Sequence, residues 1–173
     1  MKNLLCFFII FYHIGFSQET TIETLKQQLN SEKNTAEQLE ILNNMVNVAF
    51  TQDFKQALKF SKQGVQLSEK TNNTLWLPKF YEMQGRMHAN LLQLDSATLF
   101  FNKAIKGYKV IDNKKGEATT LFKLAWVDRK NGRLENALQK DLSGLKIMES
   151  LNNKQGICDA LTRVSEDLTR QNR

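Results

Sequence analysis

Ala57, Ala97 and Ala137 stand 40 residues apart, twice over, and each is followed seven residues later by a small residue, Gly64, Ala104 and Gly144. An apolar residue comes next in every case (Val65, Ile105, Leu145), and Asn73, Asn113 and Asn153 keep the same period. A chain that returns to the same small, apolar and amide residues at this interval is a repeat array, and the period suits a pair of helices. Such pairs cannot bury their apolar faces alone, so they must stack and share one continuous core.

In register, the chain divides into three full units, 35–73, 74–113 and 114–153, and a half unit, 154–173. In the third unit Ala118, Leu121, Phe122, Leu124 and Ala125 mark a first helix that stops at Asn131 and Gly132, where glycine suits the left-handed conformation that ends helices. Its second helix carries Leu134, Ala137, Leu138, Leu142, Leu145 and Met148 at three- and four-residue steps. The second unit repeats this with Phe80, Tyr81, Gly85 and Met87, then Leu94, Ala97, Phe101, Ala104, Ile105 and Tyr108. The first does so with Leu39, Ile41, Leu42, Met45 and Val48, then Phe54, Ala57, Leu58, Val65 and Leu67. Thr35 with Gln38 makes a capping-box pattern at the array's entrance. Ile157, Leu161, Val164 and Leu168 predict an amphipathic capping helix at the end, with Asp159, Arg163, Glu166, Asp167 and Arg170 on its polar side. Residues 18–34, with Ile22, Leu25 and Leu29, predict a shorter cap at the start.

Leu121, Leu124, Ala125, Gly132, Leu134, Ala137, Gly144 and Leu145 resemble the signature of the tetratricopeptide repeat. Tyr81, Gly85, Leu94, Ala97, Phe101 and Ala104 agree with it in the second unit. The first unit matches less well, with Met45 where a small residue is usual. A 40-residue period exceeds the 34 of the common form and resembles the long variant of bacterial signalling and regulatory proteins. The resemblance implies an all-α, right-handed superhelical solenoid of about three and a half repeats that binds other proteins.

The first residues point to export. A short basic start (Lys2), an apolar run from Leu4 to Phe16 and small residues at Gly15 and Ser17 have the three parts of a signal peptide, residues 1–17, cleaved after about Ser17. The run is shorter than the ~20 residues of a membrane-spanning helix, and no later segment is apolar enough, so the mature chain is expected to have no transmembrane segment. Localisation in the periplasm or cell envelope follows. Cleavage leaves one cysteine, Cys158, expected as a small packing residue, so no internal disulfide can form.

The residue types argue against catalysis. The mature chain holds one histidine, His88, with no motif around it, no phosphate-binding glycine loop, no dinucleotide fingerprint, and only two separated soft ligands where a zinc site usually takes four. The expectations are therefore no enzyme activity, no cofactor and no metal. The net charge of +6 is uneven: residues 99–154 carry 12 basic and 6 acidic side chains, against 8 and 9 in residues 18–98. Such an excess suits an acidic partner, and export removes nucleic acid from reach.

The resemblance also implies a surface, because first helices line a concave groove in this fold. Carried over by register, its face includes Leu42 and Val46, then Glu82, Arg86 and Asn90, then Phe122, Trp126, Arg129 and Lys130. Trp126 beside two cations suits an acidic protein or peptide held by apolar contact and charge; the alternative is that Trp126 packs against the neighbouring first helix. The subgroup that clamps carboxylate tails is a poor match, since the corresponding places hold Leu42, Val46, Met83 and Thr119, with only Lys123 agreeing. The expected function is an exported, non-enzymatic binding scaffold with a sensory role in signalling. The alternative is a structural protein that self-assembles into homo-oligomers or holds an anionic envelope component through its basic surface.

Overall fold

The computed structural model describes residues 21–171, all helices and turns. The signal-peptide reading of residues 1–17 lies outside the described residues. A short helix, α1 (Ile22–Ser31), precedes three antiparallel hairpins: α2 (Thr35–Phe50) with α3 (Phe54–Lys70), α4 (Leu77–Asn90) with α5 (Leu94–Val110), and α6 (Lys114–Lys130) with α7 (Leu134–Ser150). One further helix, α8 (Lys154–Gln171), packs on α7. Each helix packs on the next in sequence, with first helices of successive units touching (α2 with α4, α4 with α6), which makes a right-handed solenoid.

The backbone repeats twice as often as the sequence suggests. Asn72, Leu92, Asp112, Gly132 and Asn152 stand at 20-residue intervals, and all have a positive φ of 50–73°. At each, the next residue's N–H bonds back to the sixth residue of a closing turn, as in Asn113 N to Tyr108 O (2.9 Å) and Arg133 N to Asp128 O (2.9 Å). This is the Schellman closure, which satisfies orphan helix carbonyls. The first hairpin departs: Asp53 N reaches Ala49 O (2.7 Å) without a left-handed residue. The recurring asparagines begin the next hairpin, for the Oδ1 of Asn73, Asn113 and Asn153 accepts from the N–H of Trp76, Gly116 and Gly156. The entrance to α2 is capped one residue earlier than the capping box predicts, by Asn34 on Ala36 N (2.9 Å), while Gln38 turns to Glu32 O.

Ala57, Ala97 and Ala137 are completely buried. Around them, large and small residues trade sides from unit to unit. Tyr108 fills the space beside Gly116, and Met148 fills that beside Gly156; at the same register of the first junction the order inverts, with small Ser68 and large Trp76. Phe101 likewise occupies the room that a side chain on Gly85 would need. In the first unit these two places hold Met45 and Ser61, both buried, so the poor match at Met45 is offset across the hairpin.

The last helix is rotated from its sequence reading. Ala160 and Asp167 are fully buried and Ile157 and Val164 half-buried, whereas Leu161 and Leu168 are 51% and 46% exposed. The buried stripe is 157, 160, 164 and 167, one step round from 157, 161, 164 and 168, because Asp167 has a charged partner inside. Cys158, expected to pack, is exposed.

Candidate functional site

The concave side carries a groove of about 750 Å³ between α4, α6 and α8. Phe101, Phe122, Trp126 and Met148 supply its apolar lining; Arg86, Lys115, Lys123 and Arg163 supply cations, and Asp159 is the one carboxylate among the lining residues. Helical spacing produces this arrangement, since Thr119, Phe122, Lys123 and Trp126 lie on one face of α6. A second, polar hollow of about 460 Å³ continues from it toward α2 and is lined by Asn43, Asn47, Lys79, Glu82, Met83 and Tyr108, with Arg86 shared by both.

Partners divide the groove's cations into two kinds. Lys123 Nζ is bound by Glu82 Oε1 at 2.5 Å, and Glu82 Oε2 accepts from the Tyr108 hydroxyl at 2.7 Å. Burial, with Glu82 beside it, raises the Tyr108 pKa far above the usual phenol range. The single position matching the carboxylate-clamping subgroup is thus already neutralised. Arg86, Lys115 and Arg163 have no carboxylate partner among the described residues. Arg86 lies over the Phe50 ring (4.4 Å) and Arg163 over Phe122 (5.4 Å), which leaves their charge toward the groove's contents. Along the polar hollow, burial lowers the Lys79 pKa, against opposing pulls from Glu82 and Glu40.

The residues singled out from sequence separate into three groups. Arg86, Asn90, Phe122 and Trp126 line the groove together, and Lys130 is exposed with its ammonium 5.3 Å from the Trp126 ring. Trp126 is half-buried, with one part against the core residues around Phe101 and another on the groove. Glu82 borders the polar hollow and serves Lys123 and Tyr108. Leu42 and Val46 are not on the groove: both are buried in the core that holds Leu25 of α1, and Asn43 and Asn47 face the hollow instead.

Arg129 is the largest departure. Its side chain is 8% exposed and points into the stack, where Nη1 bonds Asp141 Oδ2 of α7 (2.6 Å) and both carboxylate oxygens of Asp167 of α8 (2.9 and 3.0 Å). It is therefore no rim charge. Asp141 was not singled out from sequence and Asp167 was placed on the polar side of α8, yet both are completely buried. The signal that finds them is register: forty residues earlier the three places hold Ala89, Phe101 and Val127, all in one apolar cluster. Burial works against the Arg129 charge, but Asp141 and Asp167 outweigh it and raise its pKa.

His88 stacks on Phe100 (5.2 Å between centroids) and shares a 2.6 Å hydrogen bond with Gln93 Oε1, which fills the imidazole's contacts with structural work. Among the described residues there is no cluster of three or more His, Cys, Asp or Glu that would hold a metal. No helix among them is long and apolar enough to cross a membrane.

No protein-family model matches the chain, and no curated protein matches it by sequence. Solved structures do match by shape. Aspartyl phosphate phosphatase F from Bacillus subtilis superposes with a TM-score of 0.81 at 13% identity, over 87% of this chain and 40% of that one. A signal-transduction ATPase with a tetratricopeptide repeat sensor, from Pyrococcus horikoshii, gives 0.77 at 14% identity, over 87% and 23%. BtubC from P. vanneervenii gives 0.73 at 13% identity, over 87% and 62%. The chain thus spans less than two thirds of each of these proteins. At such identities the likeness speaks of architecture, and the architecture is that of a tetratricopeptide-like repeat solenoid.

Proposed function

We propose that this chain is a non-enzymatic binding scaffold whose concave groove takes an acidic peptide segment of a partner protein, with an apolar side chain of that segment set against Phe122 and Trp126. The observation that carries this reading is the groove's composition: an aromatic lining surrounded by Arg86, Lys115 and Arg163, three cations with no carboxylate of their own. Aromatic anchors supply holding energy, and unpaired cations supply steering and the choice of sign. The fold supports the same class of function, since helical repeats create extended concave binding surfaces.

The test is a fluorescence titration that follows tryptophan emission on addition of a short Glu-rich peptide with a central Phe, and of its Lys-rich counterpart. The acidic peptide should give a saturable change that weakens with salt, and the basic one none. Equal responses, or none, contradict the reading.

The amino-terminal pattern of residues 1–17 supports a place in the periplasm or cell envelope, where a sensory role in signalling would lie. Mass spectrometry of protein made in an exporting bacterium should find a terminus at or near Gln18; intact Met1 on cytoplasmic protein contradicts it. Self-assembly is the second reading, favoured by the exposed Leu161 and Leu168 on α8. Sedimentation analysis decides it: self-association that Leu161→Ser with Leu168→Ser abolishes supports it, and a monomer at all concentrations excludes it.

A further inference from the structure

We propose that the buried Arg129–Asp141–Asp167 cluster is a proton-responsive latch for α8, holding that helix more firmly in mildly acidic medium than at neutral pH. The cluster joins three helices through one guanidinium, and its sum is one positive and two negative charges, with both carboxylates completely buried. One negative charge is therefore uncompensated while both carboxyls are ionised. Asp141 Oδ1 is buried with no hydrogen-bond partner, so it is a vacant position for a proton.

The charged groups that face Asp141 among the described residues are Arg129 from α6 and Asp167 from α8. Burial pushes the Asp141 carboxyl up to about 6; Arg129 pulls the other way, and Asp167 adds to the rise. With α8 away, water reaches the carboxyl and Asp167 is gone while Arg129 stays beside it, so the carboxyl returns to its ordinary value of 3.8 or below. A carboxyl raised on closing binds its proton more tightly in the closed state. The gain is complete below pH 3.8 and is lost as pH rises through about 6.

Register shows that the fold does not need these charges. The preceding joint, between the second and third hairpins, closes the same three places with Ala89, Phe101 and Val127, which no change of pH can alter. The ionic version stands only where the last helix docks. Because Asp159 and Arg163 of α8 form a wall of the groove, a firmer α8 also means a better-formed groove; that consequence rests on the groove reading above, while the latch itself does not.

The experiment is amide hydrogen exchange of residues 154–171 in the full chain, without any peptide, at pH 5.0 and 7.5 and corrected for the intrinsic pH dependence of exchange. With the carboxyl at 3.8 or below open and about 6 closed, linkage gives about tenfold greater protection of α8 at pH 5.0. Asp141→Asn should make the protection of α8 independent of pH. If that protein does not fold, the combined variant Arg129→Ala, Asp141→Phe and Asp167→Val, which transplants the apolar trio of the preceding joint, carries the test and should also be flat. A wild-type profile that is flat or runs the other way overturns the latch, as does a tenfold response that persists in the folded variant. Peptide affinity at a fixed pH of 7.5 is read separately, so its absence counts against the groove and leaves the exchange result standing.

Discussion

Ala89, Phe101 and Val127 close the joint between the second and third hairpins, and Arg129, Asp141 and Asp167 close the next joint at the same three places of the repeat. The first trio is held by apolar burial, which is nondirectional and tolerant. The second is held by one nitrogen whose two N–H groups reach three carboxylate oxygens, and it carries an unbalanced charge while both carboxyls are ionised. The two joints show that the repeat dictates where helices cross and leaves open what fills the crossing. Buried ion pairs often stabilise no better than apolar residues of similar volume, so the ionic joint adds a dependence on protonation to a contact that hydrophobic packing already makes elsewhere in the chain.

The largest expected effect comes from breaking the ionic joint on one side. Arg129→Ala leaves two buried carboxylates without a cation and should destabilise the chain by about 3–5 kcal/mol in urea unfolding. The same truncation is already present, without harm, at Ala89. A loss below 1 kcal/mol would mean that α8 docks by its apolar residues alone.

Next comes the apolar joint. Ala97→Leu, at a completely buried crossing, should cost about 1–3 kcal/mol because neighbouring helices must move apart or side chains leave their rotamers. Ala137→Leu, beside the ionic joint, should cost a similar amount, since both alanines serve the same crossing; a neutral result at either breaks the register on which the comparison rests.

Trp126 touches both the apolar joint and the groove. Trp126→Ala should weaken binding of the acidic peptide by about 2 kcal/mol or more, as truncation of an anchor does. A thermal melt of the same protein reads its core half, and a variant that is destabilised yet binds the peptide as tightly as wild type would make Trp126 a packing residue only.

The smallest effect distinguishes the turns. Leu92 has a φ of +55° and is well exposed, at the place where the next hairpin has Gly132. Leu92→Gly should therefore stabilise the chain, by about 1 kcal/mol, in the same urea titration. A loss of stability would show that the left-handed cost is offset by contacts of the leucine.

The contrast also explains what sequence can reveal. Recurring alanines, glycines and asparagines mark the repeat because each has a local reason to recur: close crossing for Ala57, Ala97 and Ala137, room for the rings of Phe80 and Phe122 at Gly64 and Gly144, and a cap for Asn113. Register in the second and third units brought Arg86, Asn90, Phe122 and Trp126 to one groove, but it did not mark Lys115 or the α8 wall with Arg163. Leu42 and Val46 misled because α1 covers those places in the first unit, a tertiary fact with no local mark. Arg129 and Asp167 misled for a different reason. A charged residue at a helical position reads as solvent-facing, and only its partner on another helix makes burial affordable; Asp167 pulled α8 round and left Leu161 and Leu168 outside.

The central claim is that the concave groove selects an acidic segment through cations with no partner of their own. It is tested most directly by reversing two of them, Arg86→Glu with Lys115→Glu, and repeating the titration with both peptides. Affinity for the acidic peptide should fall more than tenfold, its salt dependence should disappear, and the Lys-rich peptide should begin to bind, with the thermal melt little changed. Unaltered affinity for the acidic peptide in the folded variant would contradict the assignment of this groove.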